Sequence, residues 1–254
     1  MSMDIKLGRE DKVFVAFALA YAIIMIYLAV NSSFGPDEGT HATVALFYRD
    51  VLSNMFKFNS FGQIWDFGQE YLAHYPKLQV TYPPLWHLTT AVVFYTVFGV
   101  NAVAAKLSSL FFSLASMTLL YAFVKRMFGP QASLVAVFFF YANAVSIVFS
   151  HRALIDFSAY LFVFASLLAF SRAFETRDWK LYALSGFLAF LAVMGQRPAI
   201  LLFPFLFLYA LAKNERKNLV PLTIAFAVPF VLYVAFIVGI GGLAINYNVV
   251  QEAG

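Results

Sequence analysis

The chain has 254 residues, of which 62% are apolar and 12% are charged, and its mean hydropathy is +0.79. This composition excludes a single soluble domain and predicts an all-α, polytopic bundle of transmembrane helices. The absence of cysteine excludes disulfide frameworks, thiolate catalysis and cysteine zinc sites. The net charge of +4 does not indicate nucleic acid as a partner, because lysine and arginine in a membrane protein mark its cytoplasmic side.

Seven apolar stretches are long enough to be predicted as membrane spans. An eighth, residues 84–100, is shorter, and whether it crosses the membrane decides the orientation of everything that follows. The seven predicted spans are residues 13–30, 104–124, 131–149, 157–174, 179–195, 198–212 and 219–240.

The distribution of basic residues indicates that residues 84–100 do not cross. Without that crossing, four basic groups fall on the side of the N-terminus, as the positive-inside rule requires of the cytoplasmic face. These groups are Lys6/Arg9/Lys12, Lys125/Arg126, Arg172/Arg177/Lys180 and Lys213/Arg216/Lys217. We therefore predict one multi-pass module over residues 1–254, in the plasma membrane, with a cytoplasmic N-terminus. A long external first loop, residues 31–103, carries interfacial helices.

The external loop begins with two adjacent acids, Asp37 and Glu38. Residues 40–57 have apolar positions at helical spacing and predict an amphipathic helix in the interface. Residues 58–82 mix aromatic and polar side chains, as is typical of headgroup level. The Pro83-Pro84 pair can begin the next helix, whose outer end carries Trp86 and His87.

The predicted topology gathers ionisable residues from three loops at the external interface, where such residues are usually functional. Each of these ionisable residues has two possible roles, one structural and one functional. Asp37, Glu38 and Asp156 either cap helices or act as carboxylates that take a proton or bind a cation. Asp156, as a cap, could also pair with Arg152, four residues earlier. Arg152 and Arg197 either bind a phosphate with their planar guanidinium or anchor to headgroups. The histidines lack metal-binding spacing, so the default is a lone interfacial histidine.

Five short motifs in order carry a resemblance to a known superfamily. They are Asp37-Glu38, Tyr82-Pro-Pro-Leu85, Lys106-Leu-Ser-Ser-Leu-Phe111, Arg126-Met-Phe-Gly129 and Ser150-His-Arg-Ala-Leu-Ile-Asp156. Over residues 13–212 the chain resembles the GT-C superfamily of membrane glycosyltransferases, and most of all its branch of lipid A aminoarabinose transferases and protein O-mannosyltransferases.

The resemblance implies an inverting glycosyltransferase that works outside the cytoplasm. Its partners would be membrane lipids, a polyprenyl-phosphate-sugar donor, and a lipid, glycan or protein acceptor bearing a hydroxyl group. Asp37 would be the catalytic base or acceptor-orienting acid, beside Glu38, and Asp156 the second acid. Asp37 and Asp156 are also the candidate ligands of a divalent metal ion, and His41 is a candidate substrate-binding residue.

The chain departs from the family at two points. Aminoarabinose transferases place an acid and a lysine before Pro-Pro, where this chain has Thr81 and Tyr82, so binding of the donor phosphate would shift to Lys77 or His87. Tyr82 is also a candidate substrate-binding residue. Family members also continue past this length, which predicts a truncated member, a gene fragment or a minimal module that ends after the seventh span. The alternative function is a non-catalytic binding or assembly module that keeps a groove for a lipid phosphate. A transporter is weaker, because the spans carry almost no ionisable residue at mid-membrane.

Overall fold

The computed structural model describes residues 8–75 and 83–252, and these residues form helices and no strands, which confirms the predicted all-α membrane bundle. The helices are α1 (Arg9–Asn31), α2 (Pro36–Asn54), α3 (Phe61–His74), α4 (Leu85–Phe98), α5 (Ala102–Phe128), α6 (Pro130–Tyr141), α7 (Ala144–His151), α8 (Asp156–Thr176), α9 (Trp179–Gly195), α10 (Leu202–Ala212) and α11 (Arg216–Glu252). A 3-10 turn, Arg197–Leu201, leads into α10, and the middle of α4 is π-helical.

Four of the described helices are long and apolar enough to cross a membrane: α1, α5, α8 and the Arg216–Val238 part of α11. The bent pair α6–α7 makes a fifth if it counts as one span. Helices α4, α9 and Arg197–Ala212 are apolar but shorter, with 10–17 residues each. The expected count of seven spans stays a prediction.

The predicted span 131–149 is broken, since α6 and α7 meet at an angle of 72°. Asn143 makes the break possible. Its side chain accepts a hydrogen bond from the Ser146 amide at 3.0 Å and donates to the Phe140 carbonyl at 2.6 Å. An N-cap in the middle of an apolar run thus satisfies backbone groups that the break would leave unpaired in lipid.

One end of the bundle, which we call the basic end, is held by ion pairs between helices. Lys125 at the end of α5 pairs with Asp11 at the start of α1, and Arg126 pairs with Glu175 near the end of α8. Arg177 also faces Glu215, between α10 and α11, at 3.6 Å. The predicted clustering of these basic groups on one face is therefore present in the fold.

At the opposite end, Lys106 of α5 reaches the last turn of α1. Its side chain is buried, and its ammonium donates to the carbonyl oxygens of Ala29 at 3.2 Å and Ser32 at 2.8 Å. A cation suits this position because the last carbonyls of a helix lack intrahelical partners. Helices α1 and α5 are thus antiparallel. The loop between them begins and ends at the same end of the bundle, as the charge pattern predicts.

Two glycines allow α9 to approach its neighbours closely. A Cβ atom on Gly195 would lie 2.5 Å from the Ala159 nitrogen in α8, and one on Gly186 would lie 2.2 Å from the Leu222 oxygen in α11. Apolar side chains of α8, α9, α10 and α11 pack around these contacts as one core cluster. This packing brings the C-terminal end of α9 beside the first residues of α8, where Asp156 lies.

Candidate functional site

The candidate site lies at the end of the bundle opposite the basic end, and α2 begins there. Gly35 is the N-cap and Pro36 the first helical residue, so α2 begins four residues before the predicted helix and includes Asp37 and Glu38 in its first turn. Pro suits the first helical position because its missing N–H would have no partner there. The two acids therefore belong to the helix and do not merely precede it.

Glu38 connects α2 to the segment between α7 and α8. Only 1% of the residue is exposed, and both carboxylate oxygens accept backbone hydrogen bonds. One bond comes from the Gly35 amide at 2.7 Å and the other from the Ala153 amide at 2.9 Å. Asp37, in contrast, is exposed at the same helix end. The two neighbouring acids thus have different surroundings: Glu38 holds two chain segments together, and Asp37 faces outward.

Ser109 of α5 holds the α7–α8 segment from the other side. Its hydroxyl donates to the Leu154 carbonyl at 2.8 Å and accepts from the Leu154 amide at 3.1 Å. The indole N–H of Trp86 in α4 donates to the same hydroxyl at 2.9 Å. The role of Ser109 was missed from the sequence. Its signal was the adjacent Ser108-Ser109 pair in an apolar helix, where buried hydroxyl groups need partners.

His41 of α2 and His87 of α4 are buried and contact each other, so the expectation of lone interfacial histidines is wrong for these two. His41 Nδ1 lies 3.1 Å from His87 Nε2, and His87 Nδ1 lies 2.9 Å from the Pro83 carbonyl oxygen. A carbonyl only accepts, so His87 Nδ1 carries the proton and its Nε2 accepts from His41 Nδ1. In this neutral tautomer, the lone pair of the His41 ring is on Nε2.

The electrostatic surroundings of the histidine pair bring two of the predicted acids together. Burial lowers the pKa of His41, and the negative charges of Asp156 and Asp37 oppose that shift. Burial and the neighbouring His41 lower the pKa of His87 to about 3, against the hydrogen bond to the Pro83 carbonyl, which raises it. Both histidines are therefore neutral at pH 7. Asp37 and Asp156, from separate loops, both act on His41.

Asp156 is the first residue of α8 and accepts a hydrogen bond from the Gln196 amide group at 3.2 Å. The suggested pairing of Asp156 with Arg152 is absent from the ion pairs of the described residues. Residues four apart face each other only within a helix, and Arg152 has an extended backbone before α8 begins. Gln196 was not among the predicted site residues.

The two predicted arginines flank the acids. Arg152 is half-buried, its Nε is buried with no hydrogen-bond partner among the described residues, and its Nη1 lies 3.6 Å from where a Cβ on Gly35 would be. Arg197 begins the 3-10 turn after α9 and interacts electrostatically with Tyr233 of α11. Tyr233 also acts on Tyr48 of α2, although burial is the main cause that raises the pKa of Tyr48 to about 12.

Two predicted site residues, Lys77 and Tyr82, lie outside the described residues. Within residues 8–75 and 83–252, no group of three or more histidine, aspartate or glutamate side chains is placed to hold a metal ion. Asp37 and Asp156 do not form a complete protein ligand set for a divalent cation, which takes several oxygen ligands. A metal ion held by these two acids stays a prediction, and no chemical step below depends on one.

The fold therefore defines a membrane helix bundle with a polar site at one end, where carboxylates, neutral histidines and arginines from four segments meet. The family model for dolichyl-phosphate-mannose-protein mannosyltransferases matches residues 82–240. The chain belongs to this family of membrane glycosyltransferases in the GT-C superfamily, and the resemblance drawn from its motifs is confirmed. No curated protein and no solved structure matches the chain.

Proposed function

We propose that the chain transfers a sugar from a polyprenyl-phosphate donor to a hydroxyl group of an acceptor, on the extracytoplasmic face of the plasma membrane. The observation that carries this proposal is that Asp37 and Asp156, from separate segments, both act electrostatically on the buried His41, which also contacts His87. Carboxylates brought from separate segments to one histidine favour proton transfer, whereas isolated helix caps need no such convergence. Membership in a family of membrane glycosyltransferases supports this reaction class.

In the proposed reaction, the acceptor oxygen attacks the anomeric carbon of the donor. The bond from that carbon to the phosphate oxygen breaks, and polyprenyl phosphate leaves with the electron pair. Asp37 takes the hydroxyl proton, and its exposure leaves it accessible to an incoming acceptor. His41, on which both acids act electrostatically, helps to orient the hydroxyl group, and Asp156, which accepts a hydrogen bond from Gln196, adds a second negative charge. One displacement of this kind inverts the anomeric centre and needs no covalent enzyme intermediate.

Arg152 and Arg197 would bind the donor phosphate. The buried Nε of Arg152 has no hydrogen-bond partner among the described residues, which is costly unless a ligand or water completes it. A phosphate oxygen meets that need, and a guanidinium can hold two oxygens at once. The first turn of α2 lies beside Arg152, and its backbone N–H groups also favour an anion.

The reaction is tested by replacing Asp37 with Asn and measuring sugar transfer from polyprenyl-phosphate donors in liposomes. Loss of a general base costs about 10²- to 10⁴-fold in rate, so Asp37→Asn should fall by this factor while donor binding persists. Asp66→Asn is the matched control, because Asp66 is an exposed acid of α3, in the same external loop. Transfer by Asp37→Asn at the parental rate would remove Asp37 from the catalytic role.

The second candidate is a binding or assembly module that keeps the lipid-phosphate site but does not catalyse transfer. The buried Nε of Arg152, which has no hydrogen-bond partner among the described residues, favours this candidate equally. Binding of a phosphate would satisfy that nitrogen whether or not a reaction follows. The same experiment separates the two. A parental chain that binds polyprenyl phosphate and transfers no sugar from any donor tried is a binding module.

A further inference from the structure

A cavity of about 260 Å³ lies between α2 and α3, and it is separate from the candidate site. Asp50 and Asn54 of α2 form one side, and residues of α3 form the other. Asp50 follows His41 by nine positions, which is about two and a half turns of helix, so the two side chains point to opposite sides of α2. An occupant of this cavity is therefore not the sugar being transferred at the proposed catalytic site.

One wall of the cavity is aromatic. Phe67 and Tyr71 lie four residues apart on one face of α3, and Tyr75 directly follows the end of the helix. The ring centroids of Phe67 and Tyr71 are 5.9 Å apart, and those of Tyr71 and Tyr75 are 5.0 Å apart. Tyr75 is 43% exposed, so its ring is available to a ligand from solution. Rings of this kind offer apolar faces, and their hydroxyl groups form hydrogen bonds.

The rest of the wall presents hydrogen-bond acceptors. The His74 Nδ1 lies 2.9 Å from the Glu70 carbonyl, so Nδ1 carries the proton and Nε2 is the acceptor in the neutral ring. The Glu70 carboxylate makes no hydrogen bond or ion pair with any described residue, and it is exposed at the cavity. Asp50 accepts from the Tyr71 hydroxyl at 3.2 Å. A ligand that donates several hydrogen bonds beside an apolar face fits this lining.

The charges around the cavity favour a neutral ligand over a cation. Arg49 faces the Asp50 carboxylate at 3.7 Å, and the Lys57 ammonium donates to the Asn54 side chain at 3.0 Å. These two cations offset the two carboxylates of Asp50 and Glu70, so an ammonium ligand would gain little net attraction. A neutral ligand with several hydroxyl groups and an apolar C–H face can pack on the aromatic wall and donate hydrogen bonds to the other wall.

We propose that the α2–α3 cavity is a second binding site, which holds a saccharide unit of a glycan outside the site of transfer. The Tyr71 and Tyr75 rings pack against the C–H face of the sugar. Glu70 and His74 accept hydrogen bonds from its hydroxyl groups. The proposal concerns binding alone and stands whether or not the chain transfers sugar.

The test is binding of soluble oligosaccharides to the full chain in detergent, followed by saturation-transfer NMR and calorimetry. The probes are mannotriose, maltotriose and N,N′-diacetylchitobiose, with tetramethylammonium as the cationic probe. We expect saturable binding of at least one saccharide. Tyr75→Ala and Glu70→Gln should each weaken it roughly tenfold, the loss of about 1.4 kcal/mol. Trp65→Ala is the matched control: Trp65 is an exposed aromatic residue of α3 outside the cavity, and its loss should change affinity less than twofold.

Three results would overturn the proposal: binding of no saccharide, equal weakening by Tyr75→Ala and Trp65→Ala, or tighter binding of tetramethylammonium than of any saccharide. Thermal melting of each variant shows that it is folded. Asp37→Asn separates this proposal from the proposed reaction, because it should bind saccharide as the parental chain does while losing transfer. If the chain transfers no sugar, the saccharide-binding experiment still tests the cavity. If the cavity binds no saccharide, the transfer experiment still tests the proposed reaction.

Discussion

Asp37 and Glu38 are adjacent and chemically similar, yet burial gives them different roles. Glu38 accepts two backbone hydrogen bonds that join α2 to the α7–α8 segment, and Asp37 is exposed. A buried carboxylate whose oxygens are both occupied stabilises the site, whereas an exposed carboxylate remains available to a substrate. The pair was predicted from the sequence as one unit, because a sequence motif does not distinguish a buried position from an exposed one.

The substitution Glu38→Gln tests the division of roles between the two acids. The new amide side chain would keep one acceptor oxygen, but its NH₂ group would face the other backbone N–H, which leaves a buried donor unpaired. The expected cost is about 1–3 kcal/mol, measured as a lower melting temperature in detergent. Asp37→Asn is the same chemical change one position earlier, and it should lower the melting temperature less. Equal melting temperatures for the two variants would contradict a structural role for Glu38.

The sequence predicted that most of the candidate site residues lie at one end of the bundle, but it did not reveal their partners. Asp37, Asp156 and His41 interact because α2 and α8 begin at the same end, which the charge pattern predicted. His87, 46 positions after His41, was not expected as its partner, because only the folded path of α4 brings them together. Gln196 was missed for the same reason.

At the scale of elements, the His41–His87 contact makes the packing of α2 on α4 sensitive to acid. In the unfolded chain, the imidazole of His87 takes up its proton near pH 6.5, but in the folded protein its pKa is about 3. Between these values the unfolded state binds more protons, so the free energy of unfolding falls as the pH falls from 6.5 toward 3. Above pH 6.5 this contribution is fully present.

We predict that the melting temperature in detergent decreases from pH 7 to pH 4, with a contribution from His87 of up to about 1.4 kcal/mol per pH unit. Replacing His87 with Gln should make this dependence on pH shallower. His74→Gln, at an exposed histidine of α3, serves as the control and should keep the parental slope. If all three proteins show the same slope, the buried histidine pair does not govern acid sensitivity.

The break between α6 and α7 shows where prediction of elements from hydropathy fails. Residues 131–149 are apolar enough for one span, and Asn143 and Ser146 are the polar residues that interrupt its second half. The capping signal is local: an Asn followed by a Ser three residues later. Averaging hydropathy over a window of about 20 residues hides such a signal. The long helices α1, α5 and α8 contain the predicted spans 13–30, 104–124 and 157–174, which hold serine and even lysine but no Asn, Gly or Pro that would break a helix.

At the scale of the whole molecule, contacts at both ends fix the antiparallel course of α1 and α5. Lys125 pairs with Asp11 at the basic end, and Lys106 binds the end of α1 at the other. The chain between them, including α4, must return to the end from which it started. The prediction that residues 84–100 make no net crossing used only the positive-inside rule, and the contacts agree with it.

Single cysteines test this topology directly, since the chain has no cysteine of its own. Cysteine at Asn31 or Asp66, both exposed, should react with an impermeant maleimide added outside intact cells. Cysteine at Arg177, whose side chain is 79% exposed at the basic end, should react only after the membrane is permeabilised. Labelling of position 177 in intact cells would show that α4 crosses the membrane. The candidate site residues before and after α4 would then lie on opposite sides of the membrane.

The bend between α6 and α7 also bears on the thickness of the surrounding bilayer. Helix α6 has 12 residues, and a helix of that length is about 18 Å long, against a hydrocarbon core of about 30 Å. Helix α7 turns away by 72° and adds little depth. A bilayer that matches a helix of this length is locally thinner, which brings the lipid phosphates closer to the centre of the membrane. Arg152 directly follows α7, so a long-chain lipid could present its phosphate there without leaving the bilayer.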